Sequence, residues 1–131
     1  MTSRSPAGDA EHLLVLIVDD YDKNRKLARD VLSAAGFRTL EAASGAEAIT
    51  LAAAHLPDVI LMDLRLPDMD GTDAARALGE ATRTAEIPVV ALSSVRLGSA
   101  GDRLVATGFA GYLEKPINVG EFPEQVRRFA R

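Results

Sequence analysis

Four consecutive apolar residues, Val59-Ile60-Leu61-Met62, stand between Pro57-Asp58 and Asp63. A run this short and uniformly apolar has the pattern of a strand buried on both faces of a parallel sheet, where neither face alternates with solvent. Asp63 then falls at the carboxyl end of that strand, the edge of an open α/β sheet outside which ligands bind. Leu64 to Gly71 holds a proline, two more aspartates and a glycine, and can continue neither strand nor helix. It is expected to be a loop with Pro67 and Gly71 as its structural residues, and loops at strand ends carry function.

The pattern recurs along the chain. Leu13 to Val18 is an aliphatic run ending in Asp19-Asp20, so two strands present carboxylates at the same end. From Asp22 the period changes. Leu27, Ala28, Val31, Leu32 and Ala35 fall on one helical face, with Asp22 as N-cap and Gly36 as the stop. Phe37 to Glu41 is a less apolar strand, nearer an edge. Ser44, followed three residues later by Glu47, is a capping-box signature that opens a helix through about His55. Its apolar side is Ala48, Ile49, Ala52 and Ala53, and Pro57 blocks its continuation. Thr72 to Glu80 is Ala-rich and helical, and Pro88 to Leu92 is a fourth strand ending in Ser93-Ser94. Leu97 to Thr107 has helical spacing at Leu104 and Val105, but Gly98 and Gly101 each cost about 1 kcal/mol relative to alanine, which predicts a weak or late-starting helix. Gly111-Tyr112-Leu113 is a brief fifth strand leading into Glu114-Lys115-Pro116, and Phe122, Val126 and Phe129 form one face of a closing helix. This alternation predicts a doubly wound five-stranded parallel sheet with helices on both faces. Its 131 residues, 47% of them apolar, suit one core. Residues 1–11 are expected to be a disordered lead-in and residues 12–131 the domain.

Fifteen basic against nineteen acidic residues, net charge -4, with no run of Lys or Arg, disfavours direct binding to nucleic acid. The absence of cysteine excludes disulfides and thiolate metal sites, and makes the cytoplasm the simplest compartment. No signal-peptide pattern precedes Leu13, and no apolar stretch has the length of a membrane span. His12 and His55 lie far from every motif and are expected to be solvated. Arg127, Arg128 and Arg131 complement the dipole of the last helix, with a partner-binding basic end as the alternative. Asp19, Asp20 and Asp63 in one cleft repel one another, and a hard divalent ion that accepts a few carboxylates and keeps its waters, Mg²⁺, answers that repulsion best. Lys115 and Ser93, from the ends of the two late strands, face the same cleft. Ammonium and hydroxyl beside a metal-bound carboxylate suit a phosphoryl group, with Asp63 as its nucleophile.

Taken in order, Asp19-Asp20, Asp63 followed by Leu-Pro-Asp-Met-Asp-Gly from Leu66, Ser93, and Lys115-Pro116 after Tyr112 resemble the receiver domain of two-component response regulators, of the single-domain type. The resemblance covers about Leu13 to the C-terminus. It implies a flavodoxin-like sheet of order 2-1-3-4-5 and a phosphoryl group accepted on Asp63 from a histidine kinase or histidine phosphotransfer protein. It implies Mg²⁺ held by Asp20 directly, by Asp19 through water, by Asp63 and by the backbone carbonyl of Arg65. Lys115 and Ser93 would bind phosphoryl oxygens, Tyr112 would follow the Ser93 hydroxyl, and Lys115-Pro116 would be cis. Ser94 stands where Ala is common in the family, and Arg65 where dephosphorylation is tuned. The glycine-weakened stretch coincides with the segment that shifts on activation, so Gly98 and Gly101 are expected to keep it loosely ordered until Ser93 moves.

Other readings remain at this point. Phosphatases of the haloacid dehalogenase type also use an Asp nucleophile and Mg²⁺, but need a second Asp where this chain has Arg65. A phosphorylation-independent interaction module is the stronger alternative. The expectation is a phosphorylation switch rather than a turnover enzyme, with only self-phosphorylation and autodephosphorylation of its own. A downstream protein would bind the face of Tyr112 and the last helix, and a weak or phosphorylation-dependent homodimer is the further association foreseen.

Overall fold

The computed structural model describes residues 13–94, 103–105 and 107–130. Five strands, β1 (Leu14–Val18), β2 (Arg38–Ala42), β3 (Val59–Asp63), β4 (Val89–Ser93) and β5 (Gly111–Glu114), form one parallel sheet of order β2-β1-β3-β4-β5. The helices are α1 (Asp22–Ala34), α2 (Gly45–His55), α3 (Gly71–Glu80) and α4 (Phe122–Phe129), with residues 103–105 also helical. This is the flavodoxin-like order that the sequence implied. The lead-in at residues 1–11 and the glycines at 98 and 101 lie outside the described residues.

Side-chain alternation divides the core in two. Val15, Ile17, Val59, Leu61, Val90 and Leu92 pack with Ala28 and Leu32 of α1 and with Phe122 and Val126 of α4. Leu16, Val18, Ile60, Met62, Val89 and Ala91 pack on the other face against α2 and α3. Both faces of β3 are therefore dry, which is why its sequence shows no alternation. β2 lies at an edge, and its polar residues Arg38, Thr39 and Glu41 match that place.

Two expectations for α1 need correction. Its N-cap is Tyr21, not Asp22: Tyr21 is extended, with φ -90° and ψ 110°, and its carbonyl accepts the Arg25 N–H at 3.0 Å, while Asp22 lies within the first turn and pairs with Arg25. Leu27 is 44% exposed, since it sits 100° around the helix from the buried Ala28. The expected stop at Gly36 holds. With φ of 99°, Gly36 lets Phe37 N–H reach Leu32 O at 3.0 Å, the Schellman closure.

α2 ends on Leu56 in the left-handed region, φ 49° and ψ 64°, where a β-carbon is disfavoured. Leu56 is 44% exposed and so contributes little burial. Leu56→Gly is expected to stabilise the protein by about 0.5–1 kcal/mol, read as a melting temperature a few degrees higher. An unchanged or lower melting temperature would count against strain at this residue.

Candidate functional site

The alternation that divides the core also selects the residues at the carboxyl edge. Asp63 shares the parity of Val59 and Leu61, and Asp19, one residue beyond β1, shares that of Val15 and Ile17. The ladder runs on to Asp19, whose N–H donates to Ala42 O at 3.1 Å. Lys115, one residue beyond β5, shares the parity of Leu113, which packs on the same face. All three meet. Lys115 Nζ lies 3.3 Å from Asp19 Oδ2 and 3.3 Å from Asp63 Oδ2. Asp20 is exposed at the rim, and carboxylate oxygens of Asp19, Asp20 and Asp63 all lie within 4.8 Å of one another. A set of hard oxygen donors this close suits a small divalent cation.

Burial pushes the Asp63 carboxyl above its ordinary 3.8; the Arg65 N–H, 3.1 Å from Oδ1, and the Lys115 ammonium pull it back, and Asp19 adds a smaller push upward. Raised in the folded protein, this carboxyl favours folding only while protonated, so its contribution is complete below 3.8 and is lost as pH rises through the folded-state value. In metal-free buffer, Asp63→Asn is therefore expected to melt above wild type at neutral pH, with the gap closing as pH falls toward 3.8. Melting curves across that range that stay parallel would contradict a buried, ionised Asp63.

The loop after Asp63 is closed by Gly71 N–H on Leu64 O at 2.9 Å and by a bridge between Arg65 and Asp70. It is also tied to α2. Asp68 Oδ1 and Oδ2 accept the Gly45 and Ala46 N–H groups at 2.9 Å each, and these two bonds hold the Asp68 carboxyl below its ordinary value. Ser44 Oγ takes the Glu47 N–H at 3.1 Å, and Glu47 Oε1 takes the N–H of Ala43, not of Ser44 as in a strict capping box. A β-carbon on Gly45 would lie 2.6 Å from Met69 Cγ and Sδ, so a larger residue there would push the Met69 side chain aside.

Ser93 is buried on β4, opposite Glu114 of β5, and its carbonyl accepts the Lys115 N–H at 2.6 Å. Ser94 is exposed next to it. Tyr112 is half-buried against the cluster on the α2 and α3 face, and Ser93 ends β4 at the same carboxyl edge as Asp63. The Lys115–Pro116 bond is cis. Pro67 is exposed in the loop, and Arg65 is exposed with its N–H on Asp63. His55 is exposed, as expected, while His12 and Arg131 lie outside the described residues. Arg127 stacks 5.7 Å from the Phe37 ring centroid and pairs with Glu124. Sequence reasoning passed over Asp68 and Arg25. The run of aspartates after Pro67 was the available signal for the first, and a basic residue three positions after Asp22 for the second.

Known proteins are similar to the chain in sequence and in fold. A family model for the response regulator receiver domain matches residues 15–127. The polar-differentiation response regulator DivK of Brucella ovis is 36% identical over 115 residues, 88% of this chain and 94% of that protein. The chemotaxis response regulator CheY4 of Vibrio cholerae superposes with a TM-score of 0.83 at 28% identity, covering 89% of this chain and 98% of its own. The receiver domain of a sensor histidine kinase from Pseudomonas aeruginosa, solved with a magnesium ion coordinated in its active-site cleft, gives 0.80 at 29% identity over 89% of this chain and 96% of its own. The chain belongs to the response regulator receiver family.

Proposed function

We propose that the protein accepts a phosphoryl group on Asp63 from the phosphohistidine of a histidine kinase or phosphotransfer protein, and that the modification switches its contacts with other proteins. The observation that carries this is one ammonium, Lys115 Nζ, 3.3 Å from carboxylate oxygens of both Asp19 and Asp63. Asp63 Oδ attacks phosphorus as the P–N bond to the donor imidazole breaks and its electron pair returns to the ring nitrogen. Lys115 gives up part of its pairing with Asp63 to bind an oxygen of the incoming group, and the Ser93 hydroxyl donates to another. Asp19, Asp20, Asp63 and the Arg65 carbonyl would hold Mg²⁺. Bound there, the ion offsets the charge of the transferring group. The acyl phosphate ends when water attacks phosphorus and Asp63 leaves as carboxylate. The protein is then a phosphoacceptor with its own slow gain and loss of phosphate, not an enzyme acting on a separate substrate.

The phosphorylated Asp63 carries about -1.5 to -2 charges, which draws in Lys115 and the Ser93 hydroxyl. A downstream protein would sense the change at the β5 edge of the sheet, which Tyr112 flanks on one face and α4 on the other. Among the described residues no helix is long and apolar enough to cross a membrane. Work in the cytoplasm, alone or as a weak or phosphorylation-dependent homodimer, is consistent with this reading, in which Ser94 and Arg65 tune lifetime. The deciding experiment is intact mass after incubation with acetyl phosphate and Mg²⁺. Wild type should gain one phosphoryl group that hydroxylamine removes, and Asp63→Asn should gain none. No gain in wild type would return the protein to the class of phosphorylation-independent interaction modules.

A further inference from the structure

Among the described residues, no hydrogen bond or ion pair holds the Asp20 carboxylate, although it stands at the rim of the acidic trio. Its direction is set by the peptide that joins it to Asp19. That peptide is held from the side by Arg25, whose Nη1 donates to Asp19 O at 2.9 Å. Arg25 is itself immobilised: Nε donates to Glu41 Oε1 of β2 at 2.9 Å, Nη2 to Asp22 Oδ1 at 2.6 Å, and its side chain is 13% exposed. One guanidinium fork thus ties the edge strand, the first turn of α1 and the acidic turn together. Arg29 shares Glu41, at 3.3 Å, but makes no contact with the Asp19 carbonyl.

We infer that Arg25 is a positioning residue for the cation site: braced on Glu41, it fixes the Asp19 carbonyl and through it the orientation in which Asp20 presents its carboxylate. The inference rests on the proposed Mg²⁺ site. A merely electrostatic or structural role makes a different forecast. A positive charge near a cation site repels the cation, so deleting it should tighten Mg²⁺ binding. A purely structural role lowers the melting temperature and leaves the affinity of the folded protein alone. Loss of positioning weakens binding, against the electrostatic trend, by the factor of about ten that marks the lower end for outer-shell partners of metal ligands. Only positioning gives that sign.

The test is titration calorimetry with Mg²⁺ on wild type, Arg25→Met, Arg25→Lys and Arg29→Ala, at a temperature where circular dichroism shows each folded. Methionine keeps an apolar stem in place of the arginine's and removes the fork. Arg25→Met is expected to bind about tenfold more weakly, and Arg29→Ala to match wild type. Equal or tighter binding by Arg25→Met overturns the inference, as does an equal loss in Arg29→Ala. Should Arg25→Met not fold, Arg25→Lys decides. Its ammonium cannot span Glu41 and the Asp19 carbonyl together, so weaker binding supports positioning and unchanged binding refutes it. Failure of wild type itself to bind Mg²⁺ would instead remove the cation site, and the inference with it.

Discussion

Gly71→Ala is expected to destabilise the protein by about 3 kcal/mol, the upper end for overpacking, and to abolish phosphoryl uptake even in the folded fraction. A β-carbon on Gly71 would lie 2.9 Å from Leu64 Cα and closer still to the Asp63 carbonyl oxygen. Both are backbone atoms at the end of β3, so no side chain can swing away to make room. Relief requires α3 to retreat, which breaks the Gly71 N–H bond to Leu64 O, or the end of β3 to shift, which displaces Asp63. The melting temperature should fall by on the order of 10 °C. Gly79, on the same helix with nothing within 4 Å of its added β-carbon, is the internal control. Gly79→Ala should be neutral or stabilising by up to about 1 kcal/mol. If both alanine variants melt alike, the close approach at Gly71 is not what constrains the loop.

Lys115→Ala should lower the rate of phosphoryl uptake by about 10²–10³, the usual effect of deleting one preorganised donor. The same substitution leaves Asp19, 2% exposed, and Asp63, 8% exposed, facing one another without the ammonium that now lies between them. Removing one partner from a fully buried ion pair costs about 3–5 kcal/mol, and the opening of this cleft to solvent reduces that to about 2. Stability and rate can be separated by adding Mg²⁺. A divalent ion replaces the missing charge, so it should restore much of the melting temperature while the rate stays low. If Mg²⁺ restores both, Lys115 serves only to neutralise the acidic cleft and takes no part in binding the phosphoryl group.

β1, β3 and β4 were legible because burial on two faces leaves an unmistakable apolar run. The acidic residues that end β1 and β3 were legible for the related reason that only the carboxyl edge tolerates them. What the sequence concealed were competitions and distant partners. Asp22 is as good a capping residue by type as any, yet the N-cap falls one residue earlier, at Tyr21, and the Asp22 carboxylate pairs with Arg25 instead. Leu27 joined the helical pattern by spacing alone, and a helix face is too broad for spacing to separate it from Ala28. Asp68 lies 22 or more residues from the helix end it caps, and Arg25 lies 16 residues from Glu41. No local pattern announces such pairs; they exist only once the sheet has brought the loops together.

The place of β5 has a consequence for local opening. It is an edge strand that pairs with β4 alone, and Lys115 follows it directly. β1 and β3, which carry the carboxylates, are each flanked on both sides. Fluctuations that release one short ladder require far less free energy than global unfolding. The amides of Tyr112 to Lys115 should therefore exchange with solvent well ahead of those of Ile60 to Met62. In such an opened form the acidic strand ends stay in register while the cation is withdrawn, so the site is dismantled and rebuilt many times within the lifetime of a single folded molecule.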